Sequence, residues 1–162
     1  MAGIDRIKCT IPHRYPMLLV DRVTEIRPGR SITAVKAISG NEPWYRDLPD
    51  DAPPDAYEYP PALLVESWCQ AACLLAAWDN PTTDVLTGRV ALFGGISDLT
   101  FSRRVFPGDV LEHTALISRT FDDTWIFEGS TSVGGSPVMQ VGSVMTALRP
   151  AAVLARAGGP AA

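Results

Sequence analysis

Histidine is nearly absent: the 162 residues contain two, His13 and His113. Cysteine is scarce as well, with Cys9, Cys69 and Cys73, and an odd count argues against a disulfide framework. Cys69 and Cys73 are four residues apart in an apolar run, with no histidine near them in sequence. They read as small buried thiols, and no metal site is expected. No uncharged apolar run reaches the roughly 18 residues that would indicate a membrane span. The stretch from Met1 to Lys8 lacks the apolar core of a signal peptide, so the expected location is the cytoplasm. No glycine-rich phosphate loop follows a strand, and no cofactor is expected. Bases are outnumbered, 14 Lys and Arg against 18 Asp and Glu, for a net charge of -4. They are scattered, with one close pair at Arg103 and Arg104, which argues against a general nucleic-acid binder.

What is present suits one globular domain. Apolar residues make up 46% and charged residues 20%. The domain is placed at residues 1–150, with a flexible Ala/Gly-rich tail at 151–162. One helix dominates. Pro60-Pro61 opens it, the run Ala62 to Trp78 is apolar nearly all round, and Asn80-Pro81 ends it. The rest reads as strand: Met17–Ile26, Ser31–Ser39, Arg89–Ile96, Asp98–Val105, Val110–Arg119, Thr124–Val133 and Val138–Leu148, with turns at Arg27–Arg30, Phe106–Asp109 and Gly134–Pro137. Asn41–Tyr59 reads as a long loop leading into the helix. This order predicts an α+β fold, one antiparallel sheet wrapped around one long buried helix.

Glu66 stands out as the only charged residue between Ala62 and Trp78. A carboxylate on such a helix is costly unless it is paired or hydrogen-bonded. Gln70 lies four residues on, on the same face, and can donate to it. A lone polar pair on a buried helix face is a candidate site.

Several segments carry a family resemblance. Ile11-Pro-His-Arg-Tyr-Pro-Met-Leu-Leu-Val-Asp-Arg-Val23 resembles the opening of the bacterial 3-hydroxyacyl-[acyl-carrier-protein] dehydratases. Asn41-Glu-Pro43 matches a tripeptide of that family, Pro60-Pro-Ala-Leu-Leu-Val-Glu-Ser-Trp-Cys-Gln-Ala-Ala72 resembles its central helix, and Ala91–Phe101 and Arg104–Asp109 resemble its later strands. The resemblance implies a hot-dog fold, and a site at a dimer interface where a His from one subunit meets a Glu or Asp from the other. It also implies acyl chains carried on the phosphopantetheine of an acyl carrier protein. Dehydration removes a proton alpha to the carbonyl and expels the beta hydroxyl, which requires a base and an acid. Glu66 occupies the catalytic Glu position and Gln70 the family's Gln.

The chain departs from the family pattern in two places. The family's Gly-His-Phe-Pro-Gly loop is replaced by Arg46-Asp-Leu-Pro-Asp-Asp-Ala-Pro-Pro-Asp-Ala-Tyr-Glu-Tyr59, longer and without His. Pro61 stands where a backbone N–H polarises the thioester carbonyl, and proline has none. His13 matches a family His distinct from the catalytic one, and His113 shares strand parity with Leu111, Ala115 and Ile117, as a core or interface residue does. The expected function is a dehydratase subunit, weak or inactive alone, that lends Glu66 to a site shared with a His-bearing partner in a heterodimer. A structural or acyl-binding partner subunit and a hot-dog thioesterase are the alternatives. Tyr57, Tyr59, Leu63, Trp68 and Cys73 are the expected pocket residues.

Overall fold

The computed structural model describes residues 1–81, 83–86 and 88–152. Helix α1 spans Ile4–Thr10 and helix α2 spans Pro61–Ala77. The strands are β1 (Arg22–Arg27), β2 (Ser31–Ala37), β3 (Arg89–Phe101), β4 (Val110–Phe121), β5 (Thr124–Val133) and β6 (Ser136–Pro150). They form one antiparallel sheet in the order β1-β2-β4-β5-β6-β3.

Pro61 occupies the first turn of α2, where its missing N–H breaks no intrahelical bond. The helix then buries Leu64, Trp68, Ala71, Ala72, Leu74 and Leu75. Ile32 and Ala34 of β2, Leu111 and Ala115 of β4, Phe127 of β5 and Val141 and Val144 of β6 close over it in one core. The β5–β6 hairpin turns on Gly134 and Gly135, at φ 57° and 79°, the paired positive values of a tight two-residue turn.

The structure corrects four boundaries. Residues 4–10 form a helix that the sequence reading missed. Met17–Ile26 is strand only from Arg22, because residues 17–19 are held by a side chain of α2 rather than by a neighbouring strand. Arg89–Ile96 and Asp98–Val105 are one strand that ends at Phe101, with Asp98 at φ 54° rather than a break in pairing. The long loop carries two short 3-10 turns, Pro43–Tyr45 and Pro54–Tyr57. Of the expected tail, Ala151 is buried and its N–H donates to the Gly88 carbonyl, while residues 153–162 lie outside the described residues.

Candidate active site

Gln70 organises the site through three hydrogen bonds from its buried side chain. Oε1 accepts from the Leu19 N–H (2.9 Å), and Nε2 donates to the Met17 carbonyl (2.7 Å) and to Glu66 Oε1 (2.8 Å). The amide thus pins the segment after α1 along the helix and orients Glu66. Arg14 fixes the bend upstream by donating to the carbonyls of Lys8 (2.9 Å), Ile11 (2.9 Å) and His13 (2.7 Å).

This arrangement brings His13 to the carboxylate. His13 Nε2 lies 3.4 Å from Glu66 Oε1, and both side chains are about one-third exposed or less, 27% and 33%. Burial pulls the His13 pKa below its usual value, Glu66 pushes it back up, and Arg14 lowers it. His13 Nδ1 is buried without a hydrogen-bond partner. Both neighbours therefore address Oε1 of Glu66, and among the described residues Oε2 takes no hydrogen bond.

Glu66 borders a cavity of about 190 Å³ lined by Ile11, Pro12, His13, Cys73, Val85, Val90, Ala91 and Phe93. Apart from His13 and Glu66 its walls are apolar or weakly polar, as an acyl chain requires. Cys73 lies seven residues, two turns, beyond Glu66 on the same helix stripe. Burial, with Glu66 adding to it, pushes the Cys73 thiol up to about 12, so it stays protonated and lines the wall without acting as a nucleophile.

The other expected pocket residues lie elsewhere. Trp68, two residues from Glu66 and roughly 200° around the helix, sits in the core and its indole N–H donates to the Thr114 carbonyl (3.0 Å). Leu63 packs against the core one turn before Glu66 and does not line the cavity. Tyr59 is buried edge-on to Trp44, with ring centroids 5.4 Å apart, and burial holds its phenol well above its usual pKa. Tyr57 is half-buried, and its carbonyl accepts from the Tyr45 hydroxyl (3.1 Å). His113 of β4 is fully buried between Ser67 Oγ of α2 (2.9 Å) and Thr131 Oγ1 of β5 (2.8 Å), on the helix-facing side of the sheet. A larger hollow of about 880 Å³ is lined by the Lys36–Glu42 ion pair (2.9 Å) and does not include Glu66. Sequence reasoning missed His13 as a neighbour of Glu66. The link runs through Gln70, whose reach to Met17 and Leu19 no periodicity reveals.

A sheet closed over one helix, with a carboxylate of that helix facing an apolar cavity, defines a hot-dog protein equipped for acid–base chemistry. The FabA-like domain model matches residues 11–142, and the chain belongs to this family, that of the 3-hydroxyacyl-[acyl-carrier-protein] dehydratases. It is 38% identical over 134 residues to the 3-hydroxyacyl-[acyl-carrier-protein] dehydratase FabZ of Cereibacter sphaeroides, covering 83% of each chain. Among solved structures it resembles the dehydratase heterocomplex ApeI:P from Xenorhabdus doucetiae, with a TM-score of 0.76 at 16% identity over 99% of each chain. A hot-dog-like protein from Thermanaerovibrio acidaminovorans gives a TM-score of 0.61 at 14% identity, covering 83% of this chain and 96% of that one. No helix among the described residues is long and apolar enough to cross a membrane.

Proposed function

We propose that the protein is a dehydratase subunit acting on 3-hydroxyacyl chains held as thioesters on the phosphopantetheine of an acyl carrier protein, in the cytoplasm. The observation that carries this reading is the state of Glu66 at the edge of an apolar cavity: one oxygen accepts from Gln70 and lies 3.4 Å from His13, and the other takes no hydrogen bond among the described residues. A carboxylate fixed through one oxygen presents the second in a set direction, as a general base or acid must be presented to a reacting carbon or hydroxyl. Dehydration needs a second proton carrier. His13 Nε2 faces Glu66 at 3.4 Å and its Nδ1 is buried, so it serves as a positioning residue rather than as that carrier. The loop from Arg46 to Tyr59 holds no histidine. The second group therefore comes from a partner subunit, a related chain that keeps the histidine loop, in a heterodimer. The likeness to ApeI:P, itself a dehydratase heterocomplex, supports a paired arrangement for a chain of this fold.

The test is turnover of a 3-hydroxyacyl-[acyl-carrier-protein], followed by loss of the hydroxyl in the acyl mass. The lone protein is expected to be slow, and a mixture with a His-bearing relative fast. Glu66→Gln in the mixture is expected to abolish the rate. Full activity of that variant would leave the chain a structural partner only. Rapid turnover by the lone protein would instead make His13 the second group, since it is the histidine that reaches Glu66.

A further inference from the structure

The cavity at Glu66 does not stand alone. A small neck of about 10 Å³, lined by Cys73, Ala76, Ala77, Ala91, Trp125, Thr146 and Leu148, shares Cys73 and Ala91 with it. The neck shares Ala76, Trp125 and Leu148 with an outer hollow of about 540 Å³, whose wall includes Asn80, Arg89 and Asp123. Glu66, Cys73 and Ala77 are spaced i, i+7 and i+11, which puts them on one stripe of α2. The sheet keeps the same direction: Phe93 pairs with Thr146 and Ala91 with Leu148, so successive wall residues of β3 and β6 lead from Glu66 toward Arg89. The three hollows share walls in sequence and follow one helix stripe and one strand pair, the course an acyl chain would take from Glu66.

Its narrowest point carries an anomaly. Thr146 is fully buried, and its hydroxyl has no hydrogen-bond partner among the described residues. The rest of the neck is apolar or nearly so: three alanines, a leucine, an indole and a thiol. A buried hydroxyl left unpaired is destabilising, because it gives up its bonds to water and gains none in return. Valine has nearly the same shape and would avoid that cost. The neck has room for about one water-sized group.

We infer that Thr146 is a specificity-determining residue for the acyl chain, and that the preferred chain carries an oxygen, a keto or hydroxyl group, near its far end. The inference rests on the dehydratase reading, because it takes the beta carbon to lie at Glu66. From Glu66 to the neck the helix rises roughly 10–16 Å at about 1.5 Å per residue. That matches some eight to thirteen carbon–carbon bonds of an extended chain, each advancing about 1.25 Å along its zigzag. A saturated chain that long presents a methyl group to the Thr146 hydroxyl and leaves it unpaired. An oxygen there accepts its hydrogen bond, and the polar hollow beyond suits a polar chain end.

The test is calorimetric binding of three 3-hydroxyacyl pantetheine amides to the full-length protein. One has a short 3-hydroxybutyryl chain that stops before the neck. One has a saturated chain of about twelve carbons, and one has the same chain with a keto group near its end. One neutral hydrogen bond of about 1 kcal/mol corresponds to about fivefold in affinity, so the oxygenated chain is expected to bind about fivefold tighter than the saturated one. Thr146→Val should remove that preference, and Thr146→Ser should keep it. Ala76→Phe, at a half-buried neck position, should weaken both long chains and leave the short one unchanged. Equal binding of the two long chains, or a preference that survives Thr146→Val, would overturn the inference while short-chain binding left the dehydratase reading intact. Failure of all three probes to bind would overturn the inference, and the dehydratase reading would then stand or fall on turnover by the mixed complex.

Discussion

At Glu66 the question is how one carboxylate on an apolar helix is held ready. Gln70 and His13 both approach Oε1, at 2.8 and 3.4 Å, and that shared choice leaves Oε2 without a hydrogen bond among the described residues. Substituting Glu66 by Gln keeps shape and hydrogen-bonding capacity but removes the ionisable group. Loss of one acid–base group typically costs about 10²–10⁴-fold, and that fall in kcat is expected for the assembled complex with the dimer unchanged by light scattering. His13→Asn should have a smaller effect, about tenfold in kcat with KM nearly constant, because it loosens the carboxylate without removing it. The imidazole also has a signed signature. Desolvation sets its pKa below 6.5 and the Glu66 charge pulls it partly back. A nuclear magnetic resonance titration of His13 should therefore show a midpoint below 6.5, and Glu66→Gln should move that midpoint lower still. An upward move would mean that Glu66 is not the neighbouring charge.

At the scale of elements, helix and sheet are joined by a polar link as well as by the apolar core. Ser67 on α2, His113 on β4 and Thr131 on β5 form a fully buried chain of hydrogen bonds, and Ser67 Oγ also donates to the Leu64 carbonyl (3.0 Å). Burial, with a smaller contribution from Lys36, pulls the His113 pKa down to about 3. The folded state therefore keeps His113 neutral while the unfolded chain protonates it near 6.5. Between those two values the unfolded state binds the extra proton, so stability is complete above about pH 6.5 and falls as pH drops toward 3. The slope approaches about 1.4 kcal/mol per pH unit. Urea midpoints measured from pH 7.5 to 4.5 should show that decline, and His113→Gln should flatten it. The sequence made helix α2 legible because proline, apolar run and Asn80-Pro81 agree on its limits. It made His113 legible as a core residue through strand parity. Helix α1 was not legible: seven residues with two buried side chains, Ile7 and Thr10, carry too little periodicity. The single strand β3 was hidden because Asp98 looks like a turn residue yet keeps its neighbours paired on either side. His13 was out of reach for a different reason, since its place depends on a side-chain bond from Gln70 to a segment 51 residues earlier.

At the scale of the molecule, the sheet ends on β3, which pairs only with β6 and offers a free edge. Phe93, Ile96 and Phe101 on that strand and Met145 beside it are large, apolar and exposed, between 39% and 47%. An unpaired edge with such side chains is a template for another strand, and a two-fold partner closes it. Phe93 also lines the Glu66 cavity, so the same edge that would form the interface borders the site. In the proposed shared site a partner joined there delivers a side chain to Glu66, since the loop from Arg46 to Tyr59 holds no histidine. The expected outcome is a dimer by sedimentation at micromolar concentration, which Ile96→Arg shifts toward monomer by burying an unpaired charge in the interface. Ile96 is not among the residues lining the Glu66 cavity. If the site is shared, Ile96→Arg should nonetheless lower dehydration by the mixed complex in step with its loss of assembly, and raising the partner concentration should restore the rate. A variant that stays monomeric yet retains full turnover would place both halves of the chemistry within one chain, and the shared-site reading would fail.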